Sequence, residues 1–235
     1  MAPRSQLPII LSVKRGKDKE IWRGNDTNIE SSDEEFKMIR QDVLKLNRYA
    51  CRFCGFESKK YQHVHHRDND HRNNTKANLL VACVYCHYAH HVGFAGVEGG
   101  SVLIHFSARS QVWINHLTRL YFVSKLQQPN RWSKKIADLY QLIKTEGLRN
   151  LHTVYGPEMS GMKSEDPLWL ANFLNSLDDK AYADRINWGS RFNSLRLLPV
   201  ADSDNDRLTF WRDNAISPVE EWGLIIGDET ITSQF

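Results

Sequence analysis

All four cysteines of this chain lie in one window as two identically spaced pairs, Cys51-Arg-Phe-Cys54 and Cys83-Val-Tyr-Cys86, a CxxC-x28-CxxC pattern. Each CxxC turn brings two thiolates to one edge of a metal ion, and two such turns close a tetrahedral shell with no open position. Disulfides suit the pattern poorly, because a chain of 235 residues has a large core and little need of staples in a reducing compartment. The pattern therefore reads first as structural zinc on Cys51, Cys54, Cys83 and Cys86, with a redox pair or an iron–sulfur cluster as the alternatives.

A hydrophobic share of 41% supports a real core, and no apolar run approaches the roughly 20 residues that a spanning helix requires. The N-terminus lacks the length and cleavage site of a secretory signal, so a cytoplasmic protein is expected. The formal charge of +3 implies no nucleic-acid partner by itself. Its distribution is uneven. Lys45 to Lys76 carries eight basic and three acidic residues, a local net of +5, whereas no Lys or Arg follows Arg212 and the tail is acidic. The basic block could neutralise several phosphates or be a solvated face.

Leu7–Val13 and Glu20–Arg23 are expected as short strands around the turn Lys14-Arg15-Gly16-Lys17. Ser32-Asp33-Glu34-Glu35 reads as a capping box before a helix over about Asp33 to Leu46, with Phe36, Ile39, Val43 and Leu46 on one face. Val84 to Val92 has helical pattern, with Gly93 as its stop, before a strand over Val102 to Phe106. Trp113 to Leu126 reads as a central helix, and Ser133 caps another that Gly147 should end. A loop is expected over Pro157–Glu165, and Asp166-Pro167 starts a further helix. Helices are also expected near Asp179–Ile186 and Arg207–Asp213, with Leu195-Arg196-Leu197-Leu198-Pro199 between them as a turn. Trp188, Trp211 and Trp222 are core or anchor residues, with Trp222 the best candidate for anchoring a partner.

Seven of the ten histidines fall between residues 63 and 91, among the cysteines. His87 and His91 are one helical turn apart, the spacing for two imidazoles on one cation. Adjacent strand residues face opposite ways, so one of His65 and His66 can bind a metal while the other meets a water. With Asn78, this constellation resembles the HNH (His-Me finger) nuclease motif, a ββα-metal unit bracketed by CxxC knuckles. The resemblance implies His66 as general base, His65, His87 and perhaps His91 as ligands of Mg²⁺ or a similar divalent ion, and Asn78 orienting the base or bracing the loop. Histidines beside a zinc knuckle can equally be groups that support the thiolates.

A second resemblance covers most of residues 7 to 212. The run Arg48-Tyr49-Ala50-Cys51-Arg52-Phe53-Cys54-Gly55-Phe56, the loop Asn69-Asp70-His71-Arg72-Asn73-Asn74, the segment Asn78-Leu79-Leu80-Val81-Ala82-Cys83 and the late Leu-Arg-Leu-Leu-Pro are similar to the DotN/IcmJ family of type IVB (Dot/Icm) secretion systems and related conjugation machines. This implies an α+β fold, an HNH-like ββα zinc module embedded in a mainly helical single domain. The expected organisation is 1–106 with its module core at 48–92, a helical part at 107–213, and an acidic tail at 214–235. The implied role is a subunit that binds the coupling ATPase and other secretion-complex subunits at the inner membrane and aids substrate recruitment. A metal-dependent HNH endonuclease acting on DNA is the alternative.

Overall fold

The computed structural model describes residues 6–14, 34–68, 70, 73–216 and 219–227. The expected strand Glu20–Arg23, most of the turn at Lys14–Lys17, the start of the capping box and the tail from Asp228 lie outside those residues.

Helix α1 (Glu34–Leu46) follows the expected stripe, with Phe36, Val43 and Leu44 buried. Leu46, expected on that face, points to solvent at 64% exposure, and Leu44 takes its place. The stripe covers the antiparallel hairpin β1 (Gln62–His66) and β2 (Leu79–Cys83), paired from Gln62↔Cys83 to His66↔Leu79. Helix α2 (Val84–His90) starts directly from β2, and α3 (Val92–Glu98) follows after His91. Gly93 is therefore not a stop. It lies inside α3, and the left-handed residue that ends the helix is Gly99.

Strand β3 (Ser101–His105) pairs antiparallel with β6 (Leu195–Pro199), far along the chain. The Leu-Arg-Leu-Leu-Pro segment expected as a turn is thus a strand, and burial of both its faces explains its leucines, Leu195 and Leu197 on one side and Leu198 on the other. Between these strands run α4 (Gln111–Ser124), α5 (Ser133–Tyr155), the small hairpin β4 (Glu158–Met159) and β5 (Met162–Lys163), α6 (Pro167–Ser176), α7 (Asp179–Asp184) and α8 (Ser190–Asn193). The loop expected over Pro157–Glu165 holds that hairpin. Asp166 caps α6 by accepting from Leu168 N at 2.8 Å, with Pro167 in the first turn, as the sequence indicates.

Helix α5 passes through Gly147 and ends at Gly156. Gly147 is a contact residue: a Cβ there would meet the Ile104 Cβ at 2.8 Å, so glycine lets α5 lie against β3. The carboxamide of Gln111 on α4 bonds both backbone groups of Leu197, donating to its O at 2.7 Å and accepting from its N at 2.8 Å, which fixes β6 against α4. Residues Leu7–Val13 form no strand. They are held by Leu7 N to Arg52 O, by Ser12 N to Ala89 O with Val92 N to Ser12 O, and by the Tyr182 hydroxyl on both backbone groups of Val13.

Helix α9 (Asn205–Asn214) and α10 (Trp222–Ile226) close the main core, which joins the cysteines to Leu117, Ile143, Trp211 and Trp222. Trp222 is 1% exposed, so the residue expected to anchor a partner is itself a core residue. Among the described residues no helix is long and apolar enough to cross a membrane.

Candidate metal centre and histidine cluster

The first cysteine pair is shaped by a tight turn. Cys51 N donates to Phe56 O and Gly55 N to Cys51 O, both at 2.9 Å, and Gly55 takes the left-handed φ of +76° that the turn requires. The buried Gln62 side chain donates to Tyr49 O at 2.7 Å and Phe56 O at 2.8 Å, and Arg52 N donates to Val81 O at 2.8 Å, which fastens the turn to β2. The second pair needs no loop. Cys83 is both the last residue of β2 and the extended N-cap of α2, which places Cys86 in the first turn.

All four cysteines are buried and uncrosslinked, and their sulfurs lie within 4.8 Å of one another. Cys54 Sγ and Cys83 Sγ are 3.6 Å apart. A disulfide would need about 2.05 Å, whereas two sulfurs on one tetrahedral zinc at about 2.3 Å are separated by about 3.8 Å. The four residues could therefore hold a metal ion such as zinc.

Helix α4 supplies the surroundings. Asn115 Nδ2 donates to Cys86 Sγ and Arg119 Nη2 to Cys83 Sγ, each at 3.3 Å. Burial pushes the Cys83 thiol up, but hydrogen bonds from Cys51, Cys54 and Cys86 and the Arg119 charge outweigh it and hold it well below the ordinary value. Arg119 is 1% exposed and makes no ion pair with a carboxylate among the described residues. Its guanidinium carbon lies 3.7 Å from the Phe56 ring centre and 5.3 Å from that of Trp211. His116 completes the link, its Nδ1 3.2 Å from Arg119 Nη1 and its Nε2 3.0 Å from Cys54 O.

The histidines meet where β1 faces α2. In β1, His63 and His65 share one face, and His66 shares the opposite face with Val64. His65 Nδ1 is 3.2 Å from His91 Nε2, and nitrogens of His65, His87 and His91 all lie within 4.8 Å of one another. Two imidazoles on one ion at about 2.1 Å place their nitrogens roughly 3.0–3.4 Å apart, so this donor set fits a cation. Burial draws His65 down to about 4, which leaves its ring neutral and able to ligate near pH 7.

His66 turns away from this trio, is 1% exposed, and stacks at 5.5 Å on Phe36 of α1. Its Nε2 lies 3.0 Å from Asn74 Oδ1. Asn78 braces the preceding loop, donating to Asp68 Oδ1 at 2.8 Å and Asn73 O at 2.9 Å while accepting from Asp68 N at 3.2 Å. Sequence reasoning missed Asn115, Arg119, Gln62, Asn74 and His63. Two signals were present: Asn115 and Arg119 are polar residues four apart on one face of a helix rich in apolar residues, and His63 is two residues from His65 on a strand.

No protein-family model matches the chain. It is similar to the type 4 apparatus protein DotN of Legionella pneumophila subsp. pneumophila, at 26% identity over 191 residues, 80% of this chain and 85% of that one.

Proposed function

The chain is a relative of the DotN/IcmJ family, and from that premise we propose that it is a zinc-stabilised, non-catalytic subunit of a Dot/Icm-type secretion or conjugation apparatus. It binds the coupling ATPase and aids substrate recruitment, and it reaches the inner membrane through that partner. The observation that carries this is the span of the similarity. A match over 191 residues cannot be confined to the cysteine and histidine module at 48–92, so the helices around it belong to the shared protein.

Zinc at Cys51, Cys54, Cys83 and Cys86 is supported by the sulfur spacing and by Arg119. A buried guanidinium with no carboxylate beside it requires an anion, and four thiolates around one Zn²⁺ carry a net negative charge that meets this need. Purification of the native complex tests the role: a membrane-anchored hexameric ATPase should co-purify with the full chain, and recovery of nucleic acid alone would refute it.

The convergence of His65, His87 and His91 favours a second reading, a metal-dependent HNH endonuclease. Those three residues would hold a divalent ion that polarises a phosphodiester, and Asn78 would keep its loop in place; His66 would serve as general base only if it left its place against Phe36 on the opposite face of β1. An all-imidazole set suits Zn²⁺, Co²⁺ or Ni²⁺ better than Mg²⁺, which prefers oxygen ligands. A plasmid-nicking assay with several metals separates the two readings. Metal-dependent cleavage that His66→Ala abolishes would establish the nuclease; no cleavage with any ion supports the structural subunit.

A further inference from the structure

We propose that His63 is a positioning residue for a cation held by His65, His87 and His91, acting through His87 to decide which ring nitrogen meets the ion. The inference rests on reading that trio as a metal site. Strand alternation places His63 beside His65 on the face of β1 that looks toward α2. His63 Nδ1 lies 3.1 Å from His87 Nδ1, a hydrogen-bond distance, and the two rings meet edge to face at 4.8 Å between centres.

An imidazole has two nitrogens, so a His87 whose Nδ1 is engaged by His63 has only Nε2 left to offer a metal. If His87 donates its Nδ1 proton to His63, the Nε2 lone pair is exposed, which is the tautomer that ligates. His63 is not one of the three residues whose nitrogens cluster within 4.8 Å, so its action is on the ligand and not on the ion. Metal-ligating histidines are commonly oriented by a partner at the second nitrogen, and loss of such a partner weakens metal binding by about 10- to 100-fold. Here a fourth imidazole, beside His65 on the same strand face, takes the place usually held by a carboxylate or a carbonyl.

The test is a Co²⁺ titration of the full zinc-loaded chain, read by ligand-field absorption that lacks thiolate-to-cobalt charge transfer and so reports on histidines alone. The wild type should take up one equivalent that His91→Ala removes. His63→Ala should weaken that uptake by about 10- to 100-fold. His63→Asn should restore most of it, because an asparagine amide reaches the position of Nδ1, whereas the longer His63→Gln should not. Zinc content at the cysteines, measured on each variant, separates loss of positioning from loss of fold. Uptake by His63→Ala equal to wild type, or equal behaviour of the Asn and Gln variants, would overturn the role of His63 while the metal site stands. A wild type without uptake removable by His91→Ala would overturn the metal site and this inference together.

Discussion

The guanidinium of Arg119 lies 3.3 Å from the sulfur of Cys83, inside a core where no carboxylate of the described residues pairs with it. Charge balance in this part of the molecule therefore depends on the cysteines being thiolates. Arg119→Met should cost about 3–5 kcal/mol, since it leaves a buried anionic cluster uncompensated. Thermal unfolding should show Tm lower by roughly 10 °C in a chain of this size. Arg119→Lys should recover only part of the loss, because an ammonium cannot both stack on Phe56 and reach the sulfur. A methionine variant as stable as the wild type would mean that the cluster carries no charge.

Replacing Cys51, Cys54, Cys83 or Cys86 singly with Ser should reduce bound zinc from one equivalent to a small fraction. Structural zinc is worth on the order of 10 kcal/mol in small modules, so these variants should lose cooperative unfolding near the hairpin. Elemental analysis of protein purified without chelator checks it, and absence of zinc from the wild type would exclude the site.

Stability should fall with acid from near neutrality. Burial, with the neighbouring His66 charge second, draws His65 to about 4; burial, then His65, draws His90 to about 3; burial, then Arg119, draws His116 to about 4. In the unfolded chain these rings protonate below about 6.5, while in the fold they stay neutral until much lower pH. Unfolding then takes up protons, so the stabilisation is complete above about pH 6.5 and is lost toward pH 4, at about 1.4 kcal/mol per pH unit for each ring. Urea midpoints at pH 7.5, 6 and 5 should decline in that order, and a flat series would contradict the buried neutral histidines.

Gly147→Ala should destabilise in spite of alanine's better helix propensity, worth about 1 kcal/mol. The new Cβ would stand 2.8 Å from the Cβ of Ile104, and overpacking of that kind costs about 1–3 kcal/mol. The variant should therefore unfold at lower urea concentration; a gain in stability would mean that α5 can move away from β3.

What could be read from the sequence was local. The cysteine spacing announced a cluster that the fold assembles, and the Asp166-Pro167 start of α6 follows from capping chemistry alone. What failed depended on distant partners. Leu195 to Pro199 is a strand only because Ser101 to His105 pairs with it, and nothing near it in sequence signals that. Gly147 looks like a helix stop until Ile104 is seen to occupy the space of its missing side chain. Trp222 looked available because its own helix is short, yet α4 and the other core elements bury it. Within the histidine cluster the spacing put His87 near His91, whose ring centres lie 4.7 Å apart, but did not indicate that His63 would meet His87 or that His66 would pair with Asn74 under α1.

The pairing of β3 with β6 also sets a timetable. β1 and β2 are joined by one loop and bring both cysteine pairs together through contacts close in sequence, whereas β6 must return across the whole run from α4 to α8 before β3 finds its neighbour. Loop closure over a longer stretch costs more entropy and slows the step that needs it. On a chain emerging N-terminus first, the cysteines are made before Arg119 and long before Trp211, which packs against it. A metal held by those thiolates would thus be captured early, and its electrical counterweight would arrive late.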